Sequence, residues 1–412
     1  MPTPGLLRRI YLPRSADGAA SAMATYGIPL LVLATTGSAA LTGLAFALEW
    51  IPRVAAFTVA GTVVDRYGTA RVFRAACLVR ALAVLAAVGI LAALDAGSSA
   101  VTVTVMLLAA STGLLTEFSH VAAETVGGAV SRSAGAQAHR VQSVLLGIDQ
   151  SAMLAGPLVA GLLLEHGGPT AMLGTLAAFS LLAAALGSGE RNTPMSTVLA
   201  KGGLRTGWAT LRSLPVLAWL VGGLVVSNTA VAVLQAAMPV IVVTELGRSS
   251  ADAGLIWSAA AVASLLAITA ARRAIDHWGL WPVGAAASVL AAGATLTVSQ
   301  ADTYRSYLLL IAVLMAGEGG LTVVLRTLRS HLIPANVFGS TLSLTILLLL
   351  LPFPVAGLLV AALPPSQLGH AVTTAALLQA AGLATAFIRL RTLPVLPTPA
   401  SCPSARQESR SS

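Results

Sequence analysis

Apolar runs of about 20 residues, the length a helix needs to cross roughly 30 Å of hydrocarbon, recur along nearly the whole chain. That recurrence leaves room for one architecture, a polytopic helical membrane protein, because backbone exposed to lipid must satisfy its hydrogen bonds within each segment. The runs predict spans at 16–35, 40–63, 72–94, 100–123, 140–163, 169–187, 214–237, 251–271, 281–299, 304–326, 338–362 and 368–388, twelve helices in all. Charged residues are only 9% of the chain, so its length reports a number of spans and not a number of soluble domains.

The formal charge of +9 comes from 24 Lys and Arg scattered singly between the spans. They form no patch interleaved with stacking aromatics, so nucleic acid is not the expected partner. Their distribution reads instead as topology. With the N-terminus inside, 21 of the 24 fall at cytoplasmic ends and loops, Arg14 and Arg80 among them, while Arg248 and Arg305 fall outside and Arg53 lies within a span. Both termini are therefore expected in the cytoplasm, with the chain in the cell (inner) membrane. The N-terminal stretch shows no small-residue cleavage site and reads as retained. Cys77 and Cys402 are the only cysteines, and they predict no disulfide framework.

The spans repeat. GTVVDRYGTARVFR, from Gly61 to Arg74, returns less completely as ARRAIDHWGLWPVG at 271–284, with Asp65 over Asp276, Gly68 over Gly279 and Val72 over Val283 at an offset of 211. Pro29 and Gly37 return as Pro239 and Gly247, and Gly43 returns as Gly254. Two parallel six-helix halves are the economical explanation, and such repeats place a substrate site between them near the bilayer midplane. The expected division is an N-terminal half at 1–187, a cytoplasmic linker at 188–213, a C-terminal half at 214–391 and a disordered tail at 392–412, rich in Pro and Ser. Within the linker, Leu204, Trp208 and Leu211 recur at helical spacing opposite Arg205 and Arg212, the pattern of a helix lying on the inner membrane surface.

The loop from Gly61 resembles the signature that major facilitator superfamily transporters carry between their second and third helices. Gly61, Asp65, Arg66 and Gly68 match by position, whereas Thr69 and Ala70 stand where a basic pair is expected and Arg71 and Arg74 lie just beyond. The resemblance implies a conformational latch built on Asp65, Arg66, Arg71 and Arg74, with Asp276 and Gly279 as its weaker second copy. A plain topogenic turn is the alternative. The fifth span, LLGIDQSAMLAGPLVAGLL, resembles the antiporter motif of proton-coupled exporters at Gly156, Pro157 and Gly161. GLRTGWATLRSLPVLAWL is similar to the region before the seventh helix in siderophore and macrolide exporters. Together these imply an all-α fold of twelve transmembrane helices in two pseudo-symmetric halves, with multidrug or siderophore efflux driven by the proton gradient.

Candidate functional residues are those whose polarity does not belong in lipid. Glu49 and Arg53 lie four apart on the second span, and a charge at mid-span costs roughly 2.5–3.5 kcal/mol, so each should face protein or water and be paired. The second half has Ala260 and Ser264 at the equivalent positions, which points to substrate or proton handling; a self-neutralising pair is the alternative. Asp149 shares a face with Gly156 and sits beside Gln150, as a protonatable group or an interhelical bond. Glu318, between Gly317 and Gly319–Gly320, is expected to face the cavity, where small residues leave space beside it. Asp17 reads as a helix cap. Glu117, His120 and Glu124 make one stripe on the fourth span, of which Glu117 is the functional candidate. No second Glu-x-x-His exists to build a metal site with it. Asn228 and Gln235 are expected to line the cavity.

No phosphate loop, zinc spacing or serine–histidine–acid set is visible, so neither enzyme activity, catalytic residues, a resident metal nor another cofactor is expected. The expected partners are protons, the lipid bilayer and a small amphipathic or hydrophobic substrate, with the chain acting as a monomer. Import or lipid movement on the same fold, or a non-transporting membrane sensor, are the rival readings.

Overall fold

The structure, a computed structural model, describes residues 7–94, 98–133, 138–187, 203–334 and 337–393. Among these, helices dominate. They are α1 (Leu12–Thr36), α2 (Ala39–Tyr67), α3 (Thr69–Ala93) and α4 (Ser99–Ser133), followed by the continuous segment Ala138–Leu186. That segment is broken at Gly168, whose φ of 69° and ψ of −173° are not helical. We label its arms α5 (138–167) and α6 (169–186). Ala160 on one arm and Met172 on the other both reach Gly27, so the chain reverses there and the segment crosses twice. After α7 (Gly203–Ser213) come α8 (Pro215–Val240), α9 (Ser250–Trp278), α10 (Leu280–Val298), α11 (Tyr304–Leu332), α12 (Phe338–Leu350), α13 (Pro352–Ala362) and α14 (Leu368–Thr392). Pro352 opens α13 directly after α12, and the two arms form one span, Ser340–Ala362. Among the described residues eleven segments are long and apolar enough to cross a membrane, and counting both arms of the reversal gives twelve crossings in two six-helix halves.

The sequence repeat is written into the backbone. Gly37 and Gly247 end their helices at φ 64° and 61°, and Gly68 and Gly279 make the next reversals at φ 89° and 81°, conformations that glycine adopts without a Cβ penalty. Ser38 and Ser249 cap the following helices by accepting from the backbone N–H of Leu41 and Asp252. Arg248 is the one inserted residue that shifts the repeat offset from 210 to 211.

At the end of the bundle carrying Gly37 and Gly247, the halves close on each other through two matching crossings of small residues. A Cβ on Gly43 of α2 would lie 2.5 Å from the Ala361 nitrogen of α13, and one on Gly357 would lie 2.5 Å from the Ala47 nitrogen. In the partner crossing, Gly161 of α5 faces the Ser250 backbone, and Gly254 of α9 faces the Pro157 carbonyl. Just inside, Trp50 stacks on Phe353 at 4.3 Å and Tyr26 lies 5.4 Å from Trp257, each pair bridging the halves.

The linker residues 188–202 and the tail from 394 lie outside the described residues. Of the linker's apolar stripe, Leu211 is buried and Gly207 abuts Ser340 at the start of α12, while Leu204 and Trp208 stay exposed. The helix therefore packs on the bundle by one edge. The assignment of Arg80 to a loop end is overturned: it is fully buried within α3.

Candidate functional site

Arg53 and Glu49 share a face of α2, but they do not pair. Arg53 Nε donates to Glu117 Oε2 on α4 at 3.1 Å, and its guanidinium covers the Trp50 ring at 4.6 Å. The self-neutralising alternative is thereby corrected, because the closer approach of α4 supplies a better-placed carboxylate. Gly113 permits that approach, since a Cβ there would collide with the Glu49 carbonyl. Glu49 itself is 1% exposed, and its Oε2 has no hydrogen-bond partner. Trp50 Nε1 and Trp257 Nε1 are buried and unpartnered as well.

Asp149 is held by Arg14, whose Nε and Nη2 donate to its two oxygens at 2.9 and 2.6 Å. Arg14 also bonds Glu124, so one guanidinium ties α1, α4 and α5 together. The planar fork of arginine is suited to such a bridge. Arg14 sits in the first turn of a span, and counting it only as a topological charge missed this role.

Two further polar clusters lie inside the halves. In the first half, Arg80 Nη2 donates to Asp17 Oδ1 at 2.6 Å, Nε to Ser180 Oγ at 3.0 Å, and Nη1 to Ser21 and Thr116 at 3.2 and 3.3 Å. Asp17 is therefore a buried counter-ion and not the expected helix cap. The readable signal was the position of Arg80 eight residues into the predicted span 72–94. In the second half, Ser227 Oγ donates to Glu318 Oε1, and Gln379 Nε2 donates to Ser227 at 2.7 Å and to Glu318 at 3.3 Å. Glu318 was expected to face the cavity. It is instead 8% exposed, enclosed by α8 and α14. Its flanking glycines serve helix packing: Gly317 and Gly320 admit Ala287 and Ala291 of α10, and Gly319 admits Ser264 of α9.

Asn228, next to Ser227, donates to the Leu349 carbonyl at 2.8 Å, beside the break between α12 and α13. Gln235 is buried. A cavity of about 410 Å³ opens among α5, α9 and α11, lined by Leu146, Gln150, Ser264, Arg272, Arg326 and neighbouring side chains. Another, of about 520 Å³, lies between α8, α13 and α14. Neither is lined by Asn228, Gln235 or Glu318.

In the loop signature, Gly68 makes the reversal, Arg66 covers Tyr67, and Arg74 Nε donates to the Gly187 carbonyl at the end of α6. Arg71 is exposed, and nothing lies near where a Gly61 Cβ would be. Asp65 and Asp276 sit near the ends of α2 and α9, before Gly68 and Gly279. In the fifth-span motif, Gly156 lets α5 meet Ala22 of α1, while Pro157 and Gly161 meet α9. Among the described residues, no group of three or more His, Cys, Asp or Glu is arranged to hold a metal.

A family model described as Major Facilitator Superfamily matches residues 15–356. Among solved structures, the chain is similar to a bacterial homologue of the iron transporter ferroportin in an inward-facing state, with TM-score 0.72, 17% identity, and coverage of 95% of this chain and 100% of that one. A bacterial metal transporter gives TM-score 0.72 at 16% identity with the same coverage. The ferroportin homologue in an outward-facing state gives 0.63 at 17% identity, covering 93% and 99%. No curated protein matches. At these identities the likeness is one of fold.

Proposed function

Because the chain belongs to the Major Facilitator Superfamily, we propose that it is a secondary transporter that exports a small amphipathic or hydrophobic compound, such as a drug, secondary metabolite or siderophore, in exchange for protons. The observation that carries proton coupling is Glu318. It is a buried carboxyl with two hydrogen-bond donors and, among the described residues, no salt bridge, so no protein cation balances it and protonation would remove its charge. Gln379 Oε1 is buried without a partner and is a ready acceptor for the O–H that protonation would create. Glu49, equally enclosed, is the second candidate.

The arginine-rich end is placed in the cytoplasm by the positive-inside rule. The halves meet at the other end, so in this orientation the contact closes the outer side. Coupling runs through adjacent residues of α8. Ser227 holds Glu318, and Asn228 holds Leu349 at the break before α13. Phe353 and Gly357 of α13 form part of the closed contact with α2. Protonation of Glu318 changes the bond to Ser227 and shifts the balance between inward- and outward-open states. The export direction rests on Gly156, Pro157 and Gly161, and the loops at Gly68 and Gly279 act as unequal latches.

A second reading, metal-ion transport, is favoured by the ferroportin homologue and the metal transporter among the structural neighbours. Liposomes holding the full chain and a pH-sensitive dye separate the readings. Fluorescent amphipathic compounds should exchange for protons, and Glu318→Gln should abolish the exchange. Movement of ferrous or manganous ions without any organic exchange favours the metal reading, and movement of substrate in the same direction as protons rules out exchange.

A further inference from the structure

We propose that the cavity among α5, α9 and α11 is a binding subsite for the anionic head of an amphipathic substrate. The inference rests on the transporter reading and adds a charge class to its substrate. The cavity holds about 410 Å³, within the range of about 300–1,000 Å³ usual for small-molecule sites. Its walls divide by chemistry. Arg272, Arg326, Gln150, Ser264, Thr322 and Thr327 supply cations and hydrogen-bonding groups, while Leu146, Ile268 and Val323 supply apolar surface. No carboxylate is among the described residues that line it.

Asp276, one helical turn beyond Arg272 on α9, does not line the cavity and makes no salt bridge among the described residues, and the other acids nearby are committed. Asp149, beside Gln150, and Glu124 on α4 are both bonded to Arg14. Arg326 lies within electrostatic reach of Glu124 but makes no salt bridge with it, and Arg272 makes none among the described residues. One helical turn beyond Arg326, Arg329 is 7% exposed, and its Nε and Nη2 have no hydrogen-bond partner. A buried guanidinium with unsatisfied donors lies beside Arg326, and Arg326 and Arg272 line one cavity without a salt bridge among the described residues, so positive charge prevails there. Arginine and hydroxyl donors suit carboxylate, sulfonate or phosphate oxygens, and the three aliphatic side chains suit the attached apolar body. The same field disfavours a metal cation or an organic ammonium at this place.

The test uses the full chain in phosphatidylcholine nanodiscs, with empty discs as the blank, and a matched probe pair, 4-phenylbutyrate and 4-phenylbutylamine. Calorimetric titration should show saturable binding of the acid, about tenfold weaker in Arg326→Gln and in Arg272→Gln. Arg326→Lys should restore most of it, and Arg305→Gln, at the opposite end of α11, should leave it unchanged. The amine should bind at least about tenfold more weakly than the acid. Saturable binding of the amine that equals or exceeds that of the acid overturns the proposal. So does acid binding that survives both glutamine variants, or no acid binding above the blank. The measurement is at equilibrium and without a pH gradient. Acid binding in a protein that fails to exchange protons would therefore sink the export reading alone, and proton exchange by a protein that prefers the amine would sink only this subsite.

Discussion

Each half of the molecule buries a polar cluster among equivalent helices, and the two are solved differently. The first half encloses Asp17, Arg80, Thr116 and Ser180; the second encloses Ser227, Glu318 and Gln379. In the repeat register, with its offset of 210 before Arg248 and 211 after it, Asp17 corresponds to Ser227 and Arg80 to Ala291. Arginine fills the space in the first half and balances the acid. In the second half the alanine lets α10 close against Gly317, which leaves no room for a guanidinium, and the acid has moved to α11 without a cation. A balanced pair has little reason to change charge during a transport cycle, whereas a lone carboxyl has one reversible way to lose its charge. The asymmetry assigns structure to the first cluster and coupling to the second.

The largest expected effect comes from breaking the balanced cluster. Arg80→Leu leaves Asp17 as an uncompensated buried charge, at a cost of about 3–5 kcal/mol. It should abolish monodisperse protein in detergent or collapse its thermal midpoint, and Asp17→Leu combined with Arg80→Met should recover most of the loss. An unchanged midpoint in the single variant would remove the contrast between the halves. The lone carboxyl should behave in the opposite way. Glu318→Gln keeps the volume and hydrogen-bonding capacity and should shift stability by no more than about 1 kcal/mol, while proton-driven exchange disappears. If exchange survives in the folded variant, coupling lies elsewhere, with Glu49 next to be tested. The smallest effect is expected at Asn228→Ala, which orphans the Leu349 carbonyl at about 1 kcal/mol. Turnover should fall while the thermal midpoint moves little, and equal turnover would uncouple the break in the eleventh span from Glu318.

The spans, the halves and the turns were legible because each depends on local chemistry. Gly37, Gly68, Gly247 and Gly279 end helices where the chain needs positive φ, and apolar runs of the right length need no partner to be recognised. Pairing was less legible. Glu49 and Arg53 are neighbours on one helix, and only the approach of α4 at Gly113 shows that Arg53 belongs to Glu117. Arg14 and Arg80 read as loop charges because a count of basic residues does not distinguish a side chain at a span's end from one a turn or two inside it. Gln379 and Ser227 carry no charge and gave no signal until the packing put them against Glu318.

By itself the sequence determined a twelve-span, twice-repeated helical membrane protein, since hydrophobic length and turn chemistry act through residues close in the chain. Only the tertiary structure decided which buried charges are balanced and which carboxyls, Glu318 and Glu49, lack an ion pair among the described residues. Those answers depend on helices far apart in sequence meeting at small residues, and the distance at which they meet sets every ion pair between them.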